Sequence, residues 1–191
     1  VNVATKLIME QKLMDLGYVA GLAKEADFTA VKAPVFSFSK LATVDTFLGP
    51  EMKSTGEVMG VDKDYFSALY KAFIASGIKI PSGGNVLISV ADRDKEESID
   101  IAGKLSDLGF KLMATSGSHA FLEGAGFDVE LVPMEKVPDY IKTDKISLIV
   151  NTPTRGKIPE RQGFTLRRTA IEYNIPCITS LDTINAMLQV L

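Results

Sequence analysis

One histidine, one cysteine and no tryptophan occur among 191 residues, and each scarcity closes off chemistry. With Cys177 alone, no intrachain disulfide can form, and this sparing use of cysteine suits a reducing cytosol, so a cytoplasmic protein is expected. Cys177 lies in an apolar run, where a free thiol commonly packs as a small hydrophobe. With His119 alone, no His/Cys/Asp cluster has metal-ligand spacing, so no metal site is expected. Neither sign of charge is in large excess. The net charge of −3 provides no general footprint for nucleic acid. No apolar run approaches the ~20 residues of a bilayer span, so no membrane partner is expected. Walker and Rossmann glycine fingerprints are missing. The first residues carry no signal-peptide pattern. They start without Met in what reads as mid-fold sequence, which predicts a fragment of a longer polypeptide.

What is present is ample apolar content, 46%, enough to pack one domain or a small domain with an appendage. Residues 1–16 read as a helix ended by Gly17. Residues 31–38 read as an edge or irregular strand, because Pro34 cannot donate to a ladder. Residues 48–60, rich in glycine and hydroxyls, read as a loop. Asp62 is placed as the cap of an amphipathic helix whose stripe is Phe66, Leu69, Tyr70, Phe73 and Ile74. Residues 77–84 hold Pro81 and three glycines and read as a linker and domain boundary. Beyond it, apolar runs at 85–90, 110–114, 128–132, 145–150 and 176–179 alternate with helical patterns. Asp94 with Glu97 resembles a capping box, residues 161–173 form a helix, and Asp182 is placed as the cap of the last helix. The fold class is therefore α/β, a five-stranded parallel sheet with helices on both faces, preceded by a mainly helical segment.

Ligands of such sheets bind beyond the carboxyl ends of the strands. Those ends carry Ser89 with Lys95 close behind, Thr115-Ser116-Gly117-Ser118, and the run Asn151-Thr152-Pro153-Thr154-Arg155-Gly156. All three ends carry hydroxyls, amides or cations, and none ends in a pair of carboxylates. At 115–118 a strand runs into a helix N-terminus, whose free N–H groups and positive dipole end favour a phosphate. The alternative is that Ser118 merely caps the helix. Lys95, disfavoured by the dipole at a helix start, is explained by a bound anion or else is a solvated surface lysine. Arg155, Lys157, Arg167 and Arg168 add positive charge near the fourth strand end, although Arg167-Arg168 also suits a solvated helix face. His119 follows the phosphate-like turn, yet no carboxylate is placed in sequence to orient it, so it reads as a bystander.

Two stretches go beyond generic pattern. Residues 48–60, with Val1-Asn2-Val3-Ala4-Thr5 before them, resemble the end of the second ATP-grasp module of the carbamoyl-phosphate synthetase large subunit. Residues 85–191 resemble the C-terminal domain of that subunit, with the methylglyoxal synthase-like fold. The landmarks are Ser89-Val90, Asp94-Lys95-Glu96, Ala114-Thr115-Ser116-Gly117-Ser118, Ile149-Val150-Asn151-Thr152 and Arg167-Arg168. The resemblance implies an ATP-grasp remnant over 1–76, the linker 77–84 and a regulatory domain over 85–191. It implies a nucleoside monophosphate effector, UMP or IMP, with Lys95, Thr115 and Ser118 at its phosphate, Lys136 as a second lysine, and Asn151 and Thr154 as the strand-end amide and hydroxyl. Ser118 stands where the bacterial pattern has Thr. The vertebrate effector N-acetylglutamate goes with a site containing tryptophan, which this chain lacks.

The parent reaction makes carbamoyl phosphate from glutamine, bicarbonate and two ATP, for pyrimidines and arginine. The implied partners are therefore the remainder of the large subunit and the glutaminase small subunit. ATP and Mg or Mn belong to the full subunit. The family's metal-binding carboxylate and amide fall upstream of Val1, so neither a cofactor nor a catalytic residue is expected in this chain. The catalytic relative of the fold, methylglyoxal synthase, uses a base aspartate in a Gly-Gly-Asp segment and another before a proline. Here Thr152 precedes Pro153 and no Gly-Gly-Asp occurs. That suits binding better than enolisation, which needs a base within hydrogen-bond reach. The alternative is a lyase of that type acting on dihydroxyacetone phosphate.

Overall fold

The computed structural model describes residues 1–19, 21–22, 24–36, 38, 46, 56–154 and 162–191. Five short strands make its frame: β3 (Asn85–Ser89), β4 (Lys111–Ala114), β5 (Val129–Leu131), β6 (Leu148–Asn151) and β7 (Cys177–Ile178). They form one all-parallel sheet in the order β5-β4-β3-β6-β7, the α/β class expected. The apolar runs do not alternate with polar residues because both faces are covered. Successive side chains point to opposite faces. Val86, Ile88, Leu112, Ala114, Leu148 and Val150 share one core with α3 (Lys95–Asp107), α4 (Ser116–Gly124) and α7 (Leu181–Leu188). Leu87, Met113 and Ile149 share the other with α5 (Val137–Lys142) and α6 (Gln162–Glu172). The sequence reading missed α5 because Pro138 looks like a breaker, whereas in a first turn proline costs no hydrogen bond.

The N-terminal part departs further from expectation. Helix α1 spans only Asn2–Ile8, and Glu10 takes the left-handed backbone that ends such a run, φ 67°. A short 3-10 turn, Met14–Leu16, follows. Strand β1 (Thr29–Val35) pairs antiparallel with β2 (Gly56–Asp62), so part of the predicted loop is a strand; its residues 48–55 lie outside those described. In a two-stranded ribbon every strand has an open edge, which admits Pro34. Helix α2 (Tyr65–Ala75) lies against the ribbon. Gly60 makes the contact possible: any side chain there would run into the Ala68 carbonyl. The helix accordingly buries Ala68, Leu69, Ala72 and Phe73, while Phe66, Tyr70 and Ile74 of the predicted stripe stay 48%, 45% and 49% exposed. Small residues, not the large ones, set the approach.

Capping also shifts. Asp64, not Asp62, caps α2, its carboxylate accepting from the Ser67 N–H at 2.9 Å. Asp62 ends β2 and pairs with Lys71 at 2.7 Å. Asp94 makes no side-chain cap bond because a 3-10 turn, Asp92–Asp94, leads into α3. Helix α7 starts at Leu181, one residue ahead of the predicted cap Asp182. Leu69 and Phe73 of α2, with Ile78 and Ile80 behind them, pack into the same core as β3. No helix among the described residues is long and apolar enough to cross a membrane. Gly60→Ala should cost about 1–3 kcal/mol by urea unfolding, since a methyl must displace the α2 backbone; an unchanged midpoint would contradict this packing.

Candidate anion-binding site

The chain runs from β3 outward through β4 to β5, then returns to lay β6 on the other side of β3. At such a reversal the connections leave to opposite faces and open a crevice at the carboxyl ends. Ser89 ends β3 and Asn151 ends β6, and the two are in register across it. Thr115 follows β4, and Thr152 follows β6. Ser89, Thr115, Ser118, Asn151, Thr152 and Arg167 are all buried, none more than 8% exposed. Buried polar groups require partners, and here they find them in one another and in the backbone that follows β3.

The Thr115 hydroxyl donates to the Ser89 hydroxyl at 3.0 Å. The Asn151 amide N–H donates to the Ser89 carbonyl at 2.8 Å, and Arg167 Nη1 donates to Asn151 Oδ1 at 2.8 Å. The backbone N–H of Val90 donates to Ser118 Oγ at 3.0 Å, and that of Ala91 to Thr152 Oγ1 at 2.9 Å. These last two bonds hold the β3–α3 connection in place. That connection delivers Lys95, the first residue of α3.

Lys95 leans over the start of α4. Its ammonium stands 3.7 Å from where a Cβ on Gly117 would lie. Helix α4 begins at Ser116, and the His119 N–H bonds back to the Thr115 carbonyl at 2.7 Å. The N–H groups of Ser116, Gly117 and Ser118 precede that first helical bond and remain as donors. Ser116 and Gly117 are exposed, so the turn is open to solvent. Ser118 and Thr152 each accept from the backbone, which leaves each hydroxyl proton to point elsewhere. An ammonium, helix N–H groups and hydroxyl protons together present donors, the requirement of an oxyanion.

The structure sorts the expected residues. Ser89, Lys95, Thr115, Ser116, Gly117, Ser118, Asn151 and Thr152 gather at β3, β4 and β6. Ser118 is not a cap: Thr115 holds that position without a side-chain cap bond. Lys136 ends an exposed 3-10 turn after β5, and among the described residues its ammonium has no polar partner. Thr154 is exposed, whereas Arg155 and Lys157 lie outside the described residues. Arg167 and Arg168 do not form a solvated face: Arg167 is buried against Asn151, and Arg168 pairs with Glu172 at 3.2 Å and donates to the Phe38 carbonyl at 3.0 Å. His119 does have a carboxylate nearby, Glu123, one turn on at 3.8 Å, and its Nε2 lies 3.1 Å from the Val129 carbonyl. Its ring thus faces edge strand β5. Among the described residues no cluster of His, Cys, Asp and Glu could hold a metal ion.

Sequence reasoning passed over Asp92 and gave Arg167 no buried role. Asp92 pairs with Lys95 at 2.7 Å, an i,i+3 spacing that was available to read. Arg167 is buried where Gly163 leaves room; a Cβ on Gly163 would come within 3.2 Å of Nη1. A glycine one turn before an arginine was its only signal. The hydrogen bond and charge of Lys95 hold the Asp92 carboxyl below its ordinary range. A depressed carboxyl pKa contributes stability that is present above the unfolded value and lost as pH falls through the folded one. Wild type and Asp92→Asn should therefore differ slightly in Tm near neutrality and converge below about pH 3; a gap that persists in acid would contradict the pairing.

Methylglyoxal synthase from Elizabethkingia anophelis NUHP1 is similar in structure, with 17% identity over 57% of this chain and 79% of that one and a TM-score of 0.48. Residues 97–179, from the first turn of α3 to the end of the sheet, match the family model of the MGS-like domain.

Proposed function

We propose that this rim binds the phosphate of a nucleoside monophosphate, UMP or IMP, and that the chain is the effector-binding region of a carbamoyl-phosphate synthetase large subunit, not catalytic by itself. The observation that carries the proposal is Lys95 leaning over Gly117 at the open start of α4. It supplies a charge and free N–H groups to one point, with no carboxylate pair opposing them. The subunit assignment rests on the sequence resemblance of residues 48–60, with 1–5 before them, and of residues 85–191. ATP, Mg or Mn and the glutaminase partner would belong to the larger assembly. Regulation would be a population shift, limited by the difference in effector affinity between two states. Leu69 and Phe73 of α2, packed in the core beneath the sheet, support a route from the rim to the N-terminal part.

The second reading is a lyase acting on dihydroxyacetone phosphate, which needs the same phosphate cradle. Asp92 beside Lys95 is the observation that favours it. Its depressed pKa makes it a poor general base, since efficient bases titrate near the working pH. Thermal unfolding with UMP, IMP, N-acetylglutamate and dihydroxyacetone phosphate separates the readings. UMP or IMP at a hundred times its Kd should add about 2.7 kcal/mol, and Lys95→Met should remove most of that gain. If neither nucleotide stabilises the chain, the effector reading is wrong. Methylglyoxal formation that disappears in Asp92→Asn or His119→Ala would put the lyase in its place.

A further inference from the structure

We infer that Arg167 is a positioning residue that fixes the polarity of Asn151, so that this buried amide can only donate to whatever occupies the rim. The inference rests on the anion-binding reading above and assigns a role to a side chain that touches no ligand. The two ends of an asparagine amide have nearly the same shape, and a flip turns an acceptor into a donor. Arg167 removes that freedom. A guanidinium has donors and no acceptor, so the amide atom facing Nη1 at 2.8 Å must be the oxygen. The nitrogen then falls 2.8 Å from the Ser89 carbonyl, an acceptor without a donor. Both neighbours demand the same orientation. The carbonyl end is spent, one amide proton is spent, and the second has no acceptor among the described residues.

Burial gives the constraint its force. Arg167 is 6% exposed and Asn151 is 4% exposed, so water does not compete well for either end. Gly163, one turn earlier on α6, leaves the guanidinium its place. Thr115 reinforces the pattern by donating to Ser89, which frees the Ser89 hydroxyl proton. Every group on this side of the crevice is thereby turned into a donor. The ligand class that follows is an acceptor-only group, the oxygens of a fully ionised phosphate.

The test uses the whole chain, with UMP and inorganic phosphate as probes, and follows the Asn151 side-chain amide protons in 15N spectra. Wild type should show two distinct protons without ligand, one protected by Ser89, and the other should move when UMP or phosphate is added. Arg167→Met should lose the exchange protection of the Ser89-bonded proton and bind UMP at least about tenfold more weakly. Arg167→Lys, which keeps a donor toward Oδ1, should recover part of both. Asn151→Asp should pair with Arg167 yet lose binding to a similar extent, because it has no proton to give. A merely structural arginine would lower Tm without altering the Asn151 amide protons well below it. An unchanged amide pair and affinity in Arg167→Met overturn the inference. If that variant does not fold, movement of the Ser89-bonded proton in wild type, in place of the other, overturns it. Failure of wild type to bind either probe sinks the anion site itself, and the ligand-free spectra of the variants then decide whether Arg167 fixes the amide.

Discussion

The rim depends on one residue, Ser89, at the point where the strand order reverses. Its carbonyl takes the Asn151 amide and its hydroxyl takes Thr115, so β6 and β4 are both tied to the end of β3. The next two N–H groups, of Val90 and Ala91, are tied to Ser118 and Thr152. A strand end normally frays into a mobile connection. Here successive polar atoms are held by side chains from the flanking strand ends, and the connection can carry Lys95 to a set position over α4. Remove the register between Ser89 and Asn151 and the bonds that shape the rim lose their common frame.

This construction has a thermodynamic cost. Burying a guanidinium requires desolvation that its pairings only partly return, and five short hydroxyl or amide side chains, Ser89, Thr115, Ser118, Asn151 and Thr152, replace apolar residues that would pack as well. Proteins commonly accept such a cost where a charged ligand must be met by groups already oriented. The two apolar cores on either side of the sheet make it tolerable. They hold β3, β4 and β6 by Val86, Ile88, Leu87, Met113 and Ile149, all buried, and leave only the strand ends polar.

The sheet was legible because its signal is local. Apolar runs of a few residues bounded by turn residues specify buried strands, and the hydroxyl-rich stretch 115–118 announces a helix start. Strand order was not legible, since it depends on which ends meet across the fold, and the reversal between β4 and β6 therefore had to be observed. Strand β2 was hidden because Gly60 serves a close helix contact that looks like loop composition. The stripe on α2 was misplaced because Ala68 and Ala72, weak in any hydrophobic count, make the closest packing. Arg167 was misread for a related reason: a charged residue in a helix implies solvent unless something buried needs it. The polar strand ends could be read residue by residue, but which of those side chains bond to one another could not.

The central claim is that the rim presents donors and a positive charge, built to hold a phosphate with two negative charges. The 31P resonance of UMP bound to the chain, followed from about pH 7.5 to 5, tests this directly. A free phosphate monoester takes up its proton near pH 6. Donors to the charged form should lower that value, so the bound resonance should stay flat until well below it. A bound phosphate that titrates as the free nucleotide does would show that the rim does not select the dianion.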